Sequence, residues 1–199
     1  MSSTALVQQT PVPLTSMNPH LESSETPTRI LEAAQAILEQ GEVLVSSLTS
    51  ENYARRIPLV FNASIGGHYR HCLDHFASVL RGLDADRVNY DHRERDARIE
   101  NDPEYALFVT RQIRNALAEL SAEALEGPVL AECEVSYQRG DAPITRSSVG
   151  REIVYSIAHA IHHYALIAVM AKLIEARLPE NFGVAPSTVA HLGKTPHSN

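Results

Sequence analysis

The sequence contains few cysteines and no excess of positive charge, and both shortages argue against whole classes of function. Only two cysteines occur in 199 residues, Cys72 and Cys133, and no CxxC pair is present. This argues against a disulfide framework and favours a protein of the reducing cytoplasm. The formal net charge is −7 and the pI is about 5.8. Because nucleic-acid affinity depends on lysine and arginine, we expect no nucleic-acid partner.

The first 27 residues also lack the features of a targeting segment. They contain neither a charged start nor a long apolar run. We therefore expect no signal peptide and no membrane span. Their serine, threonine and proline content instead predicts a flexible leader over residues 1–27.

Apolar residues recur at helical spacing in four segments, and this predicts an all-α fold. The predicted helices cover about 28–50, 64–83, 103–124 and 145–178. Residues 128–137 alternate apolar and polar side chains, which predicts a short extended segment, an edge strand or hairpin, before the last helix. Four helices with long connections favour a four-helix bundle over 28–178. We expect an irregular tail over 179–199.

Six of the ten histidines lie on two of the predicted helices. His159 and His163 are four residues apart, so they project from one helix face and can meet at one ion. His68, His71 and His75 share a face of the second helix. Bundles build metal sites from side chains on facing helices, and neutral imidazole is a common ligand. Three imidazoles leave a coordination position open for water or substrate.

Two short motifs carry a resemblance to a known family. Ser64-Ile65-Gly66 followed by His71, and the His-x-x-His-His motif at 159–163, resemble the DinB-like superfamily of metal-binding four-helix bundles. This superfamily includes bacillithiol transferases and related thiol-dependent enzymes. The resemblance implies His71, His159 and His163 as ligands of a divalent ion: zinc, nickel, iron or manganese. It also implies a small-molecule substrate, a low-molecular-weight thiol as partner, and a homodimer.

Four neighbouring residues have alternative interpretations. His68 and His75 could be a fourth ligand, a proton shuttle or a hydrogen-bonded support, and support or substrate contact is favoured. Asp74 could orient a ligand imidazole or be a surface carboxylate. Glu152 could act as a base at the rim of the pocket, although a first-turn acid favoured by the helix dipole is the preferred interpretation. His68, His75 and Glu152 are thus the candidate catalytic residues.

Three functions remain open at this point. The first is a metal-dependent enzyme, a thiol S-transferase or a hydrolase acting on a small electrophile. The second is a non-catalytic module that binds a metal or a ligand. The third is a metal-free interaction protein whose histidines pack at an interface. Metal content separates the third from the other two, and turnover separates the first from the second.

Overall fold

The computed structural model describes residues 25–192 apart from Arg93 and Arg139. The predicted leader lies outside this range except for its last three residues, which begin the first helix. The helices are α1 (Glu25–Ser47), α2 (Ser50–Ala54), α3 (Ile65–Ala85), α4 (Ala97–Asn101), α5 (Pro103–Ala118), α6 (Ala122–Glu126), α7 (Val149–Leu173) and α8 (Pro186–Leu192). The prediction of an all-α fold is confirmed.

The four long helices α1, α3, α5 and α7 form the bundle. Both α1 and α3 pack against α5 and also against α7, so the four helices surround one apolar core. Its fully buried side chains include Leu38, Leu44, Phe76, Leu117, Ile153 and Ile167. Burial of apolar side chains of this size supplies the main driving force that holds helices together.

Capping side chains set where the two histidine-bearing helices begin. The Ser64 hydroxyl accepts a hydrogen bond from the Gly67 backbone N–H at the start of α3. The Ser148 hydroxyl does the same for the Arg151 N–H at the start of α7. Each satisfies one of the N–H groups that a helix N-terminus leaves without a partner.

A three-stranded sheet lies beside the bundle. Its strands are β1 (Arg87–Asn89), β2 (Pro128–Glu132) and β3 (Ile144–Ser148). β2 is the central strand, parallel to β1 and antiparallel to β3. The prediction of an extended segment before the last helix is therefore correct. Of its two alternatives, the edge strand is wrong because β2 is central, whereas the antiparallel pairing of β2 with the next strand, β3, agrees with a hairpin. β1 has three residues inside the charged connection, too few for an alternating pattern to reveal it.

Several predicted boundaries differ from the observed ones. The third helix ends at Ala118, and the separate helix α6 follows, capped by the Ser121 hydroxyl. The polar connection at 84–102 holds β1 and α4, and the tail predicted as irregular holds α8. Such short elements depend on packing against the bundle, because isolated helices of one or two turns are unstable.

Helix α7 combines length with apolar composition. One window of it has a mean hydropathy of 1.5, enough for a membrane span by length and composition alone. In this fold α7 packs against α1, α3 and α6. A core helix of a soluble protein passes the same test, so the composition of α7 does not by itself identify a membrane span.

Candidate metal centre

Helices α3 and α7 bring the three predicted ligands together. His71 lies on α3, and His159 and His163 lie one turn apart on α7. Each residue offers one imidazole nitrogen, and these three atoms lie within 4.8 Å of one another. All three residues are half-buried. The packing of α3 on α7 therefore produces the convergence that helix spacing alone predicts only for the pair on α7.

The chemistry and the spacing of the three imidazole nitrogens fit a divalent ion. The Nε2 atoms of His71 and His159 lie 2.9 Å apart, so one imidazole donates a hydrogen bond to the other. Zinc–nitrogen bonds are about 2.0–2.1 Å long, so nitrogens that share a zinc ion are separated by roughly 3 Å or slightly more. The separation of 2.9 Å between His71 and His159 is close to this value, and the other separations are at most 4.8 Å. Small rotations of the three side chains would bring their nitrogens to the positions that one ion requires.

His68 contacts the cluster through a hydrogen bond. Its Nδ1 atom lies 2.8 Å from Nδ1 of His163. If His163 coordinates an ion through Nε2, its Nδ1 carries the proton and donates it to His68. Burial, and to a smaller extent the neighbouring His162, lowers the pKa of His68, which favours the neutral acceptor form. This contact agrees with the supporting role that the sequence favours.

His75 supports the cluster by ring stacking. It is buried, and its ring stacks on His159 with centroids 3.8 Å apart. The ring of His75 also stacks on the ring of Tyr90, with centroids 4.8 Å apart, and meets the ring of His71 edge-on, with centroids 4.9 Å apart. These contacts restrict the orientation of two predicted ligand rings at once. Tyr90 lies just after the short strand β1, and nothing in the sequence pattern indicates its place here.

Glu152 lies in the first turn of α7, two turns before His159, and is only 1% exposed. The Tyr90 hydroxyl donates to its Oε2 at 2.6 Å, and the Ser147 hydroxyl donates to Oε1 at 2.5 Å. Arg151 adds a longer contact of 3.2 Å. Burial, together with the hydrogen bond to Glu152, raises the pKa of Tyr90. Glu152 thus joins α7 to β1 and β3, which goes beyond the simple helix-dipole role preferred from the sequence.

Asp74 and Cys72 also have defined places. Asp74 is buried, and Arg70 donates to its Oδ2 at 2.8 Å. The interpretation of Asp74 as a surface carboxylate is therefore wrong. Cys72 is buried in the core, and burial raises the pKa of its thiol.

A cavity of about 390 Å³ opens beside the cluster. His68, His71 and His163 line one part of it, and Arg56, Phe61 and Glu100 line another. Its volume lies near the lower end of the range for small-molecule sites. The sequence pattern does not indicate the second group. Arg56 and Glu100 are 44 residues apart, and only tertiary packing brings them together.

Comparison with known proteins supplies a family match and one relative. The sequence model of the DinB superfamily matches residues 24–167, a range that contains all three predicted ligands. "FK506-binding protein 5" of Rhizopus delemar is 35% identical over 107 residues. The aligned segment is 54% of this chain but only 28% of that protein. The chain thus matches less than a third of that relative's length.

Proposed function

This chain belongs to the DinB superfamily, and from that premise we propose that it binds one divalent metal ion and uses it in thiol transfer or related chemistry on a small molecule. His71, His159 and His163 are the proposed ligands. The observation that carries the proposal is the convergence of their nitrogens within 4.8 Å, from two helices, beside a cavity.

The donor set suits several metals and leaves room for a substrate. Imidazole binds zinc, nickel and iron, and ligand sets of this kind do not by themselves select one first-row ion. The proposed cofactor is accordingly one of zinc, nickel, iron or manganese. Three protein ligands are fewer than the four of a closed structural site. The fourth position is the proposed place for a thiol or a water molecule.

When bound, the ion would lower the pKa of a coordinated thiol or water and so supply a nucleophile near neutral pH. The chain's own residues do the rest. His68 holds the ring of His163 through its hydrogen bond, and His75 holds the ring of His159 by stacking. The cavity admits a small electrophile to the same place. In thiol transfer the thiol releases its proton to solvent, the sulfur forms a bond to the electrophilic carbon, and the leaving group departs with the electron pair of the bond that breaks.

Metal content tests the ligand assignment. Untagged wild-type protein is compared by elemental analysis with His71→Ala and His163→Ala. His162→Ala is the matched control, since His162 is exposed and adjacent to a ligand. We expect about one ion per chain in the wild type and in the control, and almost none in the two ligand variants. Equal metal in all four proteins would remove the assignment.

Turnover tests the reaction class separately. The metal-loaded protein is incubated with a bromobimane electrophile and a panel of low-molecular-weight thiols. Thioether formation that disappears in His71→Ala is the expected result. If no thiol in the panel reacts faster than in buffer, the transferase proposal fails. The non-catalytic metal-binding module would then remain.

A further inference from the structure

The cavity beside the histidine cluster has chemically distinct parts. His71 and His163 line it, and so does Arg56, which lies in the loop after α2. Glu100, at the end of α4, lines the same cavity. A small molecule whose donor atom reaches the proposed metal therefore has a guanidinium within the same recess.

The two arginines of this cavity are held very differently. Arg70 donates to Asp74 at 2.8 Å and to Glu100 at 3.4 Å, and its side chain is only 16% exposed. Arg56 donates at 3.2 Å to Glu100 and at 3.2 Å to the Asn62 carbonyl, and its side chain is 64% exposed. Solvent-exposed ion pairs of this kind contribute little stability. Arg56 can therefore exchange its contacts for a ligand at small cost.

Charge at the proposed metal favours an anionic ligand. Glu100 and Asp74 pair with Arg56 and Arg70, so the uncompensated positive charge would be that of a divalent ion held by three neutral imidazoles. A ligand carboxylate reaches the Arg56 guanidinium by replacing its exposed contact with Glu100. Phe61 lines the cavity with its side chain fully exposed, and its backbone has φ 51°. Positive φ is uncommon for a bulky residue and is often retained at ligand sites. This ring offers an apolar surface to the body of a ligand.

From these contacts we infer that the site selects thiols that carry a carboxylate, with Arg56 binding the carboxylate while the sulfur occupies the open metal position. Guanidinium and carboxylate form charge-assisted hydrogen bonds that a neutral ligand cannot replace. The inference rests on the proposed function, because it requires a metal-held thiol. It adds the class of thiol and the residue that recognises it.

A matched pair of thiols tests this inference by spectroscopy. Cobalt-loaded protein is titrated with 3-mercaptopropionate and with 2-mercaptoethanol, which differ in having a carboxylate or a hydroxyl at the same end. Thiolate binding is followed by its charge-transfer absorption. Because the two thiols differ in intrinsic affinity for cobalt, the readout is the ratio of their affinities in each protein.

Three proteins are compared. In Arg56→Gln we expect the affinity for 3-mercaptopropionate relative to 2-mercaptoethanol to fall about threefold to fivefold, the size of effect that an exposed guanidinium supports. Arg55→Gln is the control, because Arg55 is an exposed neighbour that does not line the cavity, and its ratio should equal that of the wild type. The affinity for 2-mercaptoethanol should be the same in all three proteins, which also shows that the site is intact.

The possible failures are distinguishable. If the ratio is unchanged in Arg56→Gln, Arg56 does not recognise the carboxylate and the inference is overturned, while the metal site stands. If neither thiol produces a charge-transfer band in the wild type, no thiol reaches the metal. That result overturns the proposed thiol chemistry itself and the inference with it.

Discussion

Replacing His68 with alanine removes the hydrogen-bond partner of His163 without removing any of the three proposed ligands. The Nδ1 atoms of His68 and His163 lie 2.8 Å apart, so this contact restrains the orientation of the His163 ring. If His163 coordinates an ion through Nε2, the contact also holds the proton on its Nδ1. Without it, the ring can rotate, and the proton can move to the nitrogen that must bind the ion. We therefore expect His68→Ala to weaken metal binding.

The structure sets the size of this effect. Loss of a group that orients a ligand commonly weakens metal affinity by about 10- to 100-fold, or about 1.4–2.7 kcal/mol. Only one of the three ligands is affected here, and His68 is half-buried, so water can replace part of the lost hydrogen bond. The expected loss is therefore about tenfold, close to the lower limit. Removal of His71, a proposed ligand itself, should cost considerably more.

Competition with a chromophoric chelator measures the dissociation constants directly. The series contains the wild type, His68→Ala, His68→Asn and His71→Ala, with His162→Ala as the control for an exposed histidine on α7. The asparagine amide oxygen can accept a hydrogen bond, so His68→Asn should recover part of the affinity. A merely space-filling role for His68 would not produce that recovery.

Two results would refute this reasoning. Unchanged affinity in His68→Ala would mean that the contact with His163 does not orient a ligand. A loss as large as that of His71→Ala, with no recovery in His68→Asn, would make His68 a fourth ligand. The coordination sphere would then be closed, and a non-catalytic metal module would be favoured.

Three further predictions concern stability and thiol reactivity. Free metal at about 100 times its dissociation constant should stabilise the fold by about 2.7 kcal/mol and raise Tm by roughly 5–10 °C. In a melting experiment a chelator should reverse this shift, and an unchanged Tm would contradict binding to the folded state. Gly41→Ala places a Cβ against the Tyr164 hydroxyl and 2.5 Å from Tyr69 Cε2, so urea unfolding should show a loss of about 1–3 kcal/mol. Gly140→Ala, which meets nothing within 4 Å, should change stability by less than about 0.5 kcal/mol. Because burial raises the pKa of the Cys72 thiol, a thiol reagent at pH 8 should modify only Cys133 in the native protein and both cysteines in denaturant. Rapid modification of both cysteines in the native protein would show that the core opens.

The bundle could be predicted because its signals are local. Apolar side chains at helical spacing mark the long helices, and Ser64 and Ser148 mark the starts of α3 and α7. The shared face of His159 and His163 follows from the helix repeat alone. The family motif indicates His71. The short elements β1 and α4 escaped prediction because three to five residues carry too little pattern and depend on their neighbours.

The same distinction between local signals and tertiary packing applies to the candidate site. Helix geometry sets the direction in which a side chain leaves its own helix, so the order of residues is enough to show which histidines share a face. No comparable rule predicts which helix packs on which, since packing depends on the fit of whole surfaces. The contact of His71 with the pair on α7, and the hydrogen bond between His68 and His163 across 95 residues of chain, therefore follow from the packing of the helices. The same packing placed Arg56 in the recess beside them.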